Sequence, residues 1–299
     1  MGGLKMEVRV LRYFNEIVRE GNISGAAQVL HISQPALSRQ MKELENELGV
    51  TLFERGHRQI KLTQEGSYLF DRAQEITTLV DRTTDQLQKK AVVSGVINIG
   101  AGESRAVQPV MACIEHIMAK FPQIRLNLVS GDSEFLRHQL DTGLIEFAIL
   151  MGHENLIEYN TMPLSGVNRW GIVIAADSPL AQKKAITPED LVGQPLMTSG
   201  QTMRQDTFRQ WAGMALNHFN FVGQYNLVFN AALLAKTGAC AVMTYEGLIK
   251  TQAEDNLVFR PLTPALVDQN ILVWRKDNRL PNVGNIFIKE MKEITHDQN

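Results

Sequence analysis

Polar and basic side chains recur along residues 34–42 at the spacing of one face of an α-helix. Gln34, Ser38 and Lys42 follow one another at intervals of four residues, and Arg39 lies beside them. A glutamine can make two hydrogen bonds to the major-groove edge of adenine, and arginine or lysine can bind guanine or phosphate. The pattern indicates a helix that contacts double-stranded DNA, although an ordinary solvated helix face is the alternative that it leaves open.

A second basic segment follows this one. Arg55 and Arg58 lie in a short stretch, residues 55–61, between the apolar residues Phe53 and Leu62. We interpret the stretch as a β-hairpin wing whose cations reach phosphates or the minor groove. A surface hairpin with unrelated charges is the alternative interpretation.

The elements that must position these side chains are predicted to be helices. Apolar residues recur with helical spacing over residues 8–18 and again over residues 23–30. Ser33 is a suitable N-cap for a third helix, Pro35 is tolerated in its first turn, and Gly49 ends it. Two helices joined by so short a turn, with polar residues at the start of the second, are typical of a helix-turn-helix.

A longer helix is predicted next. Residues 63–90 contain no proline, and a set of their apolar residues follows a heptad spacing. At 1.5 Å per residue this helix would be roughly 36–40 Å long, which is more than a small winged domain can cover. We therefore expect a linker helix that pairs with a second copy of the chain, and packing along the chain's own C-terminal domain is the alternative. The residues expected at the dimer contact are Leu69, Ala73, Ile76, Val80 and Leu87.

Short apolar strands alternate with amphipathic helices from residue 93 to the end of the chain. Alternation of this kind predicts an α/β domain with a mostly parallel sheet. We expect two halves with a cleft between them. One half would consist of residues 93–163 and 267–299, and the other of residues 164–266.

The N-terminal residues resemble one known family closely. The segments 23–27 (Ile-Ser-Gly-Ala-Ala), 33–39 (Ser-Gln-Pro-Ala-Leu-Ser-Arg) and 62–66 (Leu-Thr-Gln-Glu-Gly) belong to a nearly continuous similarity over residues 8–66 with the LysR-type transcriptional regulators. The resemblance implies a winged helix-turn-helix in residues 1–62 that binds DNA as an oligomer. It also implies a linker helix in residues 63–92 and a periplasmic-binding-protein-like effector domain in residues 93–299. The residues implied at the DNA are Ser33, Gln34, Pro35, Ser38, Arg39, Arg55 and Arg58, with Gln34 and Pro35 as base readers, and Lys42 is added from its place on the same helix face.

The cleft of the C-terminal domain is predicted to bind a small-molecule effector. In open α/β sheets ligands bind beyond the carboxyl ends of the strands, which selects the loops that follow them. Ser104 and Thr202 would place hydroxyls at helix N-termini, where a carboxylate or phosphate is favoured. The carboxylate of Glu103 would repel an anion or pair with an amine. The alternative to ligand binding is that the Ser104 and Thr202 hydroxyls only cap helices. The candidate effector-binding residues are Gly102, Glu103, Ser104, Met151, Ser199, Gly200, Thr202 and Asn226.

Other chemistries are excluded by composition and spacing. The two cysteines are too few for a disulfide framework or a structural zinc site, and the seven histidines have no metal-ligand spacing. A dinucleotide-binding glycine motif is incomplete, because Arg105 stands where its third glycine would be. Charged residues interrupt the N-terminal segment, so it lacks the apolar core of a signal peptide. No apolar run approaches the roughly 20 residues of a membrane span. We therefore expect a cytoplasmic protein that is not an enzyme and needs no metal, cofactor or membrane.

These patterns lead to one functional hypothesis. The chain of 299 residues has a formal net charge of −2, and residues 1–65 hold nine basic against eight acidic residues, so a single DNA-binding domain is expected to bind weakly. We expect a homodimeric or homotetrameric transcriptional regulator whose effector domain senses a small anionic molecule, changes the oligomer geometry on operator DNA and contacts RNA polymerase. A ligand-independent regulator of the same fold is the alternative. The effector, the operator and the direction of regulation are left open.

Overall fold

The computed structural model describes residues 6–54, 60–87, 93–152, 156–200, 202, 206–251, 256–277 and 280–296, and for residues 82, 85–87, 295 and 296 it describes the backbone alone. The chain forms two compact units, residues 1–89 and 90–299. Among the predicted site residues, Arg55, Arg58 and the side chain of Leu87 lie outside the described part.

The described residues of the first unit form four helices. A turn of four residues, 30–33, joins the second helix to the third. This arrangement confirms the predicted helix-turn-helix. The helices are α1 (Val8–Glu20), α2 (Ile23–Val29), α3 (Gln34–Leu48) and α4 (Gln64–Leu87).

The ends and the buried side of α3 follow from its residue types. The Ser33 hydroxyl oxygen accepts a hydrogen bond from the backbone N–H of Ala36, which satisfies one of the free amides at the helix start. Gly49 ends the helix with a φ of 69°, a left-handed conformation that glycine adopts without strain. Apolar side chains of all four helices and of the segment after α3 form the core. They include Leu11, Phe14, Ile17, Ala26, Leu37, Met41, Leu44 and Leu52.

The base of the predicted hairpin wing is present after α3. Phe53 and Leu62 form an antiparallel β-bridge, and the backbone N–H of Glu54 donates to the carbonyl oxygen of Lys61 at 2.8 Å. The Lys61 ammonium group also binds the Glu54 carboxylate at 2.7 Å. These contacts join the segment that ends at Glu54 to the segment that contains Lys61 and Leu62, and residues 55–59 are outside the described part.

α4 requires a correction to the predicted dimer contact. Leu69 is 8% exposed and Ala73 is 0% exposed, and both belong to the core of the first unit together with residues of α1. These two side chains are therefore unavailable to a partner helix. The heptad spacing indicates an apolar side of the helix, but α1 supplies the nearest apolar surface for its first turns. Ile76 and Val80, further along α4, are half-buried.

None of the described helices in either unit is long and apolar enough to cross a membrane. The second unit is an α/β domain, as predicted. Its strands are β1 (Gly95–Ala101), β2 (Ile124–Ser130), β3 (Phe147–Met151), β4 (Tyr159–Ala175), β5 (Pro195–Ser199), β6 (Asn220–Tyr225), β7 (Ala241–Tyr245), β8 (Leu257–Pro261) and β9 (Val267–Arg275), and its helices are α5 (Gln108–Lys120), α6 (Ser133–Asp141), α7 (Asp206–Ala212), α8 (Val228–Lys236) and α9 (Asn282–His296).

The strands of this unit form a mixed sheet. Their order is β2-β1-β3-β9-β4-β7-β5-β6, and β8 pairs with β4. β1 is parallel to β2 and β3, and β5 is parallel to β6 and β7. β9 is antiparallel to β3 and β4, and β4 is antiparallel to β7 and β8. The prediction of a mostly parallel sheet is therefore wrong at the centre, because the two long strands that join the halves run against their neighbours.

The two halves of the sheet have separate hydrophobic cores. One core contains Phe147 and Phe287, whose ring centroids are 4.8 Å apart. The other contains Trp170 and Tyr245, with centroids 4.4 Å apart. β4 contributes Leu164 to the first core and Trp170 to the second, so the change from one core to the other falls within this strand.

Candidate functional site

The polar side of α3 is exposed above a buried apolar side. Gln34, Arg39 and Lys42 are exposed and Ser38 is half-buried, whereas Leu37 on the opposite side is fully buried. The core of the first unit therefore fixes which side of the helix meets solvent. We call the exposed set the α3 face, and its members are Ser33, Gln34, Pro35, Ser38, Arg39 and Lys42.

The cations of the α3 face are available to an outside partner. Within the described part of the chain, neither Arg39 nor Lys42 makes an ion pair or a side-chain hydrogen bond. Gln34 Nε2 donates to Ser38 Oγ at 3.1 Å, which orients the glutamine amide along the helix. The free amides at the start of α3 add partial positive charge at the same end. The arrangement suits a negatively charged polymer such as DNA.

A cavity lies at the carboxyl ends of strands in the second unit, where the strand-end rule placed the effector. Its volume is about 40 Å³, which is room for only a few water molecules. An effector with several carbon atoms therefore needs the walls to move apart. We call this space the cleft cavity. The predicted residues on its wall are Gly102, Glu103, Met151, Ser199, Gly200 and Asn226.

Aromatic and acidic side chains that the sequence reasoning missed also lie on this wall. They are Asp132, Trp170, Tyr225 and Tyr245. Asp132 follows β2, and the two tyrosines end β6 and β7, so the same strand-end rule applied to every strand would have found them. Trp170 lies inside β4, and no sequence signal indicated it.

The carboxylate of Glu103 contacts the start of α8. The backbone N–H of Val228 donates to Glu103 Oε2 at 2.7 Å. The free amide groups at the start of a helix carry partial positive charge and attract carboxylates. Glu103 therefore already occupies the position at which a bound anion would meet this helix.

Ser104, which follows Glu103, does not lie on the wall of the cleft cavity. Its hydroxyl donates to Asn168 Oδ1 and accepts from Asn270 Nδ2 at 3.0 Å, and Asn168 Nδ2 donates to Asn270 Oδ1 at 2.6 Å. The three groups thus form a closed ring of hydrogen bonds, which we call the Ser104 ring. The two asparagines are 4% and 0% exposed. The ring joins the loop after β1 to β4 and β9, the strands shared by the two halves.

Thr202 also lies off the cavity wall. It is 0% exposed, and its hydroxyl oxygen is 2.6 Å from that of Ser199. The Ser104 and Thr202 hydroxyls, which were expected to attract an anion, thus make hydrogen bonds with other side chains of the protein. This removes the main physical reason for expecting an anionic effector, and the expectation is corrected on that point.

The cysteines and the potential metal ligands offer no alternative chemistry. Among the described residues, no three His, Cys, Asp or Glu side chains are grouped in a way that could hold a metal ion. Cys113 and Cys240 are buried. Burial raises the pKa of Cys113 to about 12 and also raises the pKa of Cys240. Neither thiol is activated as a nucleophile at neutral pH.

Comparisons with known proteins cover both units. A family model described as bacterial regulatory helix-turn-helix protein, lysR family, matches residues 8–67, and one described as LysR substrate binding domain matches residues 90–295. The HTH-type transcriptional regulator YtlI of Bacillus subtilis (strain 168) is 32% identical over 187 residues, which are 62% of this chain and 60% of YtlI. The HTH-type transcriptional regulator BsdA of the same strain is 30% identical over 227 residues, 75% of this chain and 72% of BsdA. The chain thus spans less than two thirds of the length of YtlI.

Solved structures resemble the chain over almost its whole length. Full-length CbnR in complex with its target DNA matches with a TM-score of 0.73 and 20% identity, covering 97% of this chain and all of that one. A second structure of CbnR, a LysR family transcriptional regulator, matches with a TM-score of 0.71 and 19% identity, covering 97% of this chain and 99% of that one. At this level of identity the likeness shows the fold alone.

Proposed function

The chain belongs to the LysR family of DNA-binding transcriptional regulators, and from this premise we propose that it binds operator DNA through the α3 face and responds to a small molecule in the cleft cavity. The observation that carries the proposal is the α3 face itself. Gln34 and Arg39 are exposed at the first two turns of a helix whose other side is buried in the core. In a helix-turn-helix, these turns enter the major groove.

The roles within the α3 face follow from side-chain chemistry. Gln34 and Pro35 lie at the very start of α3, where they meet base edges, and the glutamine amide suits adenine. Ser33, Ser38 and Arg39 hold phosphates, as Lys42 does at the next turn. Arg55 and Arg58 are proposed to reach the backbone from the wing.

The proposed oligomer contact uses the outer side of α4. Tyr68 and Leu79 are 70% and 47% exposed, which leaves large apolar surface in solvent on this helix. Val80 and Leu87 retain the dimerisation role proposed from the heptad spacing, as does the exposed part of Ile76, which also packs against the core of the first unit. Pairing two DNA-binding domains would compensate for the nearly neutral charge of each one, since two half-sites are then bound together.

The proposed sensing mechanism is a shift between populations of two cleft geometries. A ligand that binds one geometry more tightly than the other moves the equilibrium toward it. Glu103 lines the cavity, and the next residue, Ser104, is hydrogen-bonded to Asn168 on β4 and Asn270 on β9. A ligand that displaces Glu103 would therefore act on both of the strands that the two halves share. The resulting change of cleft geometry would alter the spacing of the paired DNA-binding domains, and with it the contact to RNA polymerase.

A regulator of the same fold that needs no ligand is the second candidate function. Two observations favour it: the cavity volume is only about 40 Å³, and Glu103 already binds the start of α8 across the cleft. In that case the cleft would stay closed, and the concentration of the protein alone would set the occupancy of the operator.

The DNA-binding proposal is tested by replacing one cation on the α3 face. Arg39→Ala should weaken binding to duplexes of any sequence and reduce the slope of log affinity against log salt by about one unit, because one phosphate is no longer neutralised and its counterion is not released. Fluorescence anisotropy on the full-length protein at several salt concentrations measures this slope. Lys289→Ala is the matched control, since Lys289 is an exposed cation of the second unit with its side chain 77% accessible. Equal slopes for the Arg39→Ala variant and the wild type would remove Arg39 from the contact.

A further inference from the structure

We propose that the cleft cavity binds a small organic cation, such as a primary amine, and that Glu103 and Asp132 hold its charge. This inference rests on the proposed function, in which the cavity is the effector site, and adds the chemical class of the effector. It reverses the anionic class that the sequence suggested.

Both acidic residues on the wall keep one carboxylate oxygen for a ligand. Glu103 uses Oε2 to accept from the backbone of Val228, and Asp132 uses Oδ1 to accept from the backbone of Phe135 at 2.9 Å. Within the described part of the chain, the second oxygen of each carboxylate makes no hydrogen bond or ion pair. An ammonium group has three donors and no acceptor, so its chemistry suits free carboxylate oxygens of this kind.

Three aromatic side chains also lie on this wall. Trp170 and Tyr245 lie with ring centroids 4.4 Å apart and planes inclined by 57°, and Tyr225 joins them at the cavity. The faces of such rings carry negative partial charge and attract ammonium groups within about 6 Å, most strongly where water is excluded.

A third carboxylate is hydrogen-bonded to two of these aromatic side chains. Asp268 is 3% exposed, and its Oδ2 accepts from Trp170 Nε1 at 2.7 Å and from the Tyr245 hydroxyl at 2.6 Å. Burial and the Asp268 carboxylate raise the pKa of Tyr245, so that hydroxyl remains a donor. Among the described residues, no cation lies within 4 Å of Asp268. Its charge therefore adds to the negative potential of the cavity, because a buried carboxylate is weakly screened.

The described cation nearest in sequence to Glu103 is Arg105. Arg105 is not on the cavity wall, and its guanidinium lies against Gly247, where a side-chain carbon added to the glycine would be 2.7 Å from Nη1. Arg204 lies outside the described residues. The charges that face the cavity from the described residues are therefore those of the acidic side chains.

The test compares two small probes of opposite charge on the full-length protein. Saturation-transfer NMR with ethylammonium chloride and with sodium acetate, at equal ionic strength and millimolar concentration, should show binding of ethylammonium and not of acetate. The probes match the cavity of about 40 Å³ in size. Binding of acetate, with or without ethylammonium, or binding of neither probe overturns the proposal.

Three variants assign the binding to the cavity. Asp132→Asn removes the charge and keeps the helix cap, because asparagine caps as well as aspartate does. It should weaken the affinity for ethylammonium by about tenfold to a hundredfold, as should Glu103→Gln, since each removes a charge-assisted hydrogen bond. Glu115→Gln, on the exposed side of α5, is the matched control and should leave the affinity unchanged. Unchanged affinity in both cavity variants, with circular dichroism showing that they fold, contradicts the assignment.

The outcomes also separate this inference from the proposed function. If acetate binds and changes the affinity for DNA, the cleft is an effector site and the cation assignment alone fails. If neither probe binds, the cation assignment fails while DNA binding is still decided by the Arg39→Ala experiment.

Discussion

Glu103 and Ser104 are adjacent in the loop after β1, but they bind different parts of the second unit. Glu103 accepts a hydrogen bond from Val228 at the start of α8, and Ser104 belongs to the ring with Asn168 on β4 and Asn270 on β9. One short loop thus connects the cavity wall with both strands that the two halves share. At the scale of single residues, this connection is the physical basis of the proposed sensing mechanism.

The Ser104 ring leads to a stability prediction. Ser104→Ala should lower the free energy of unfolding of the second unit by about 1–3 kcal/mol, because the buried Asn168 carbonyl oxygen loses its donor and the Asn270 amide loses its acceptor. Urea denaturation followed by tryptophan fluorescence measures the change. Ser130→Ala makes the same substitution at an exposed position of the same unit and should change the free energy by less than about 0.5 kcal/mol. Equal denaturation midpoints for Ser104→Ala and Ser130→Ala would contradict the closed ring.

Much of the cavity wall could be predicted from the sequence, and the exceptions have physical reasons. Gly102, Met151 and Ser199 were found because the ends of strands meet at one edge of a sheet. Ser104 and Thr202 were misplaced because a hydroxyl binds whichever buried partner is nearest, and that partner is set by tertiary structure. Strand pairing, which local sequence does not determine, likewise brought Trp170 into the wall.

At the scale of elements, α4 shows how far an apolar pattern can be interpreted. The heptad spacing correctly indicates a long helix with an apolar side. The pattern does not determine which surface covers that side, and here Leu69 and Ala73 pack on their own unit. Apolar surface for a partner chain is then left further along the helix and on its outer side, at residues such as Leu79, which is 47% exposed.

A charge placed on the outer side of α4 should therefore disrupt the oligomer. Leu79→Glu should shift the protein toward monomers, because a carboxylate would have to be buried without a partner at the contact. Sedimentation equilibrium measures the association constant, and we expect it to fall by at least about tenfold, the equivalent of roughly 1.4 kcal/mol. Gln74→Glu adds the same charge at another exposed position of α4 and serves as the control. If both variants associate like the wild type, Leu79 is not at the contact.

At the scale of the whole molecule, the sequence predicted the class of each unit and missed the central connection of the second. The helix-turn-helix followed from capping, spacing and family resemblance, and the α/β domain followed from alternating strands and helices. The antiparallel placement of β4 and β9 did not follow, because alternation shows the order of elements and not the direction in which distant strands pair. The relatives of the chain are transcriptional regulators, which confirms the expectation that it is not an enzyme.

The central claim is that this chain recognises particular DNA sequences through the start of α3, and genome-wide footprinting of the full-length protein tests it most directly. We predict discrete sites made of two half-sites about 10–10.5 base pairs apart, or a multiple of that spacing. Gln34→Ala should reduce the preference for those sites by about 1–3 kcal/mol for each adenine that the glutamine amide no longer binds. Gln74→Ala, which removes an exposed glutamine from α4, should leave the sites unchanged. Footprints no different from those of naked DNA, or an identical set of sites for the Gln34→Ala variant, would contradict the claim.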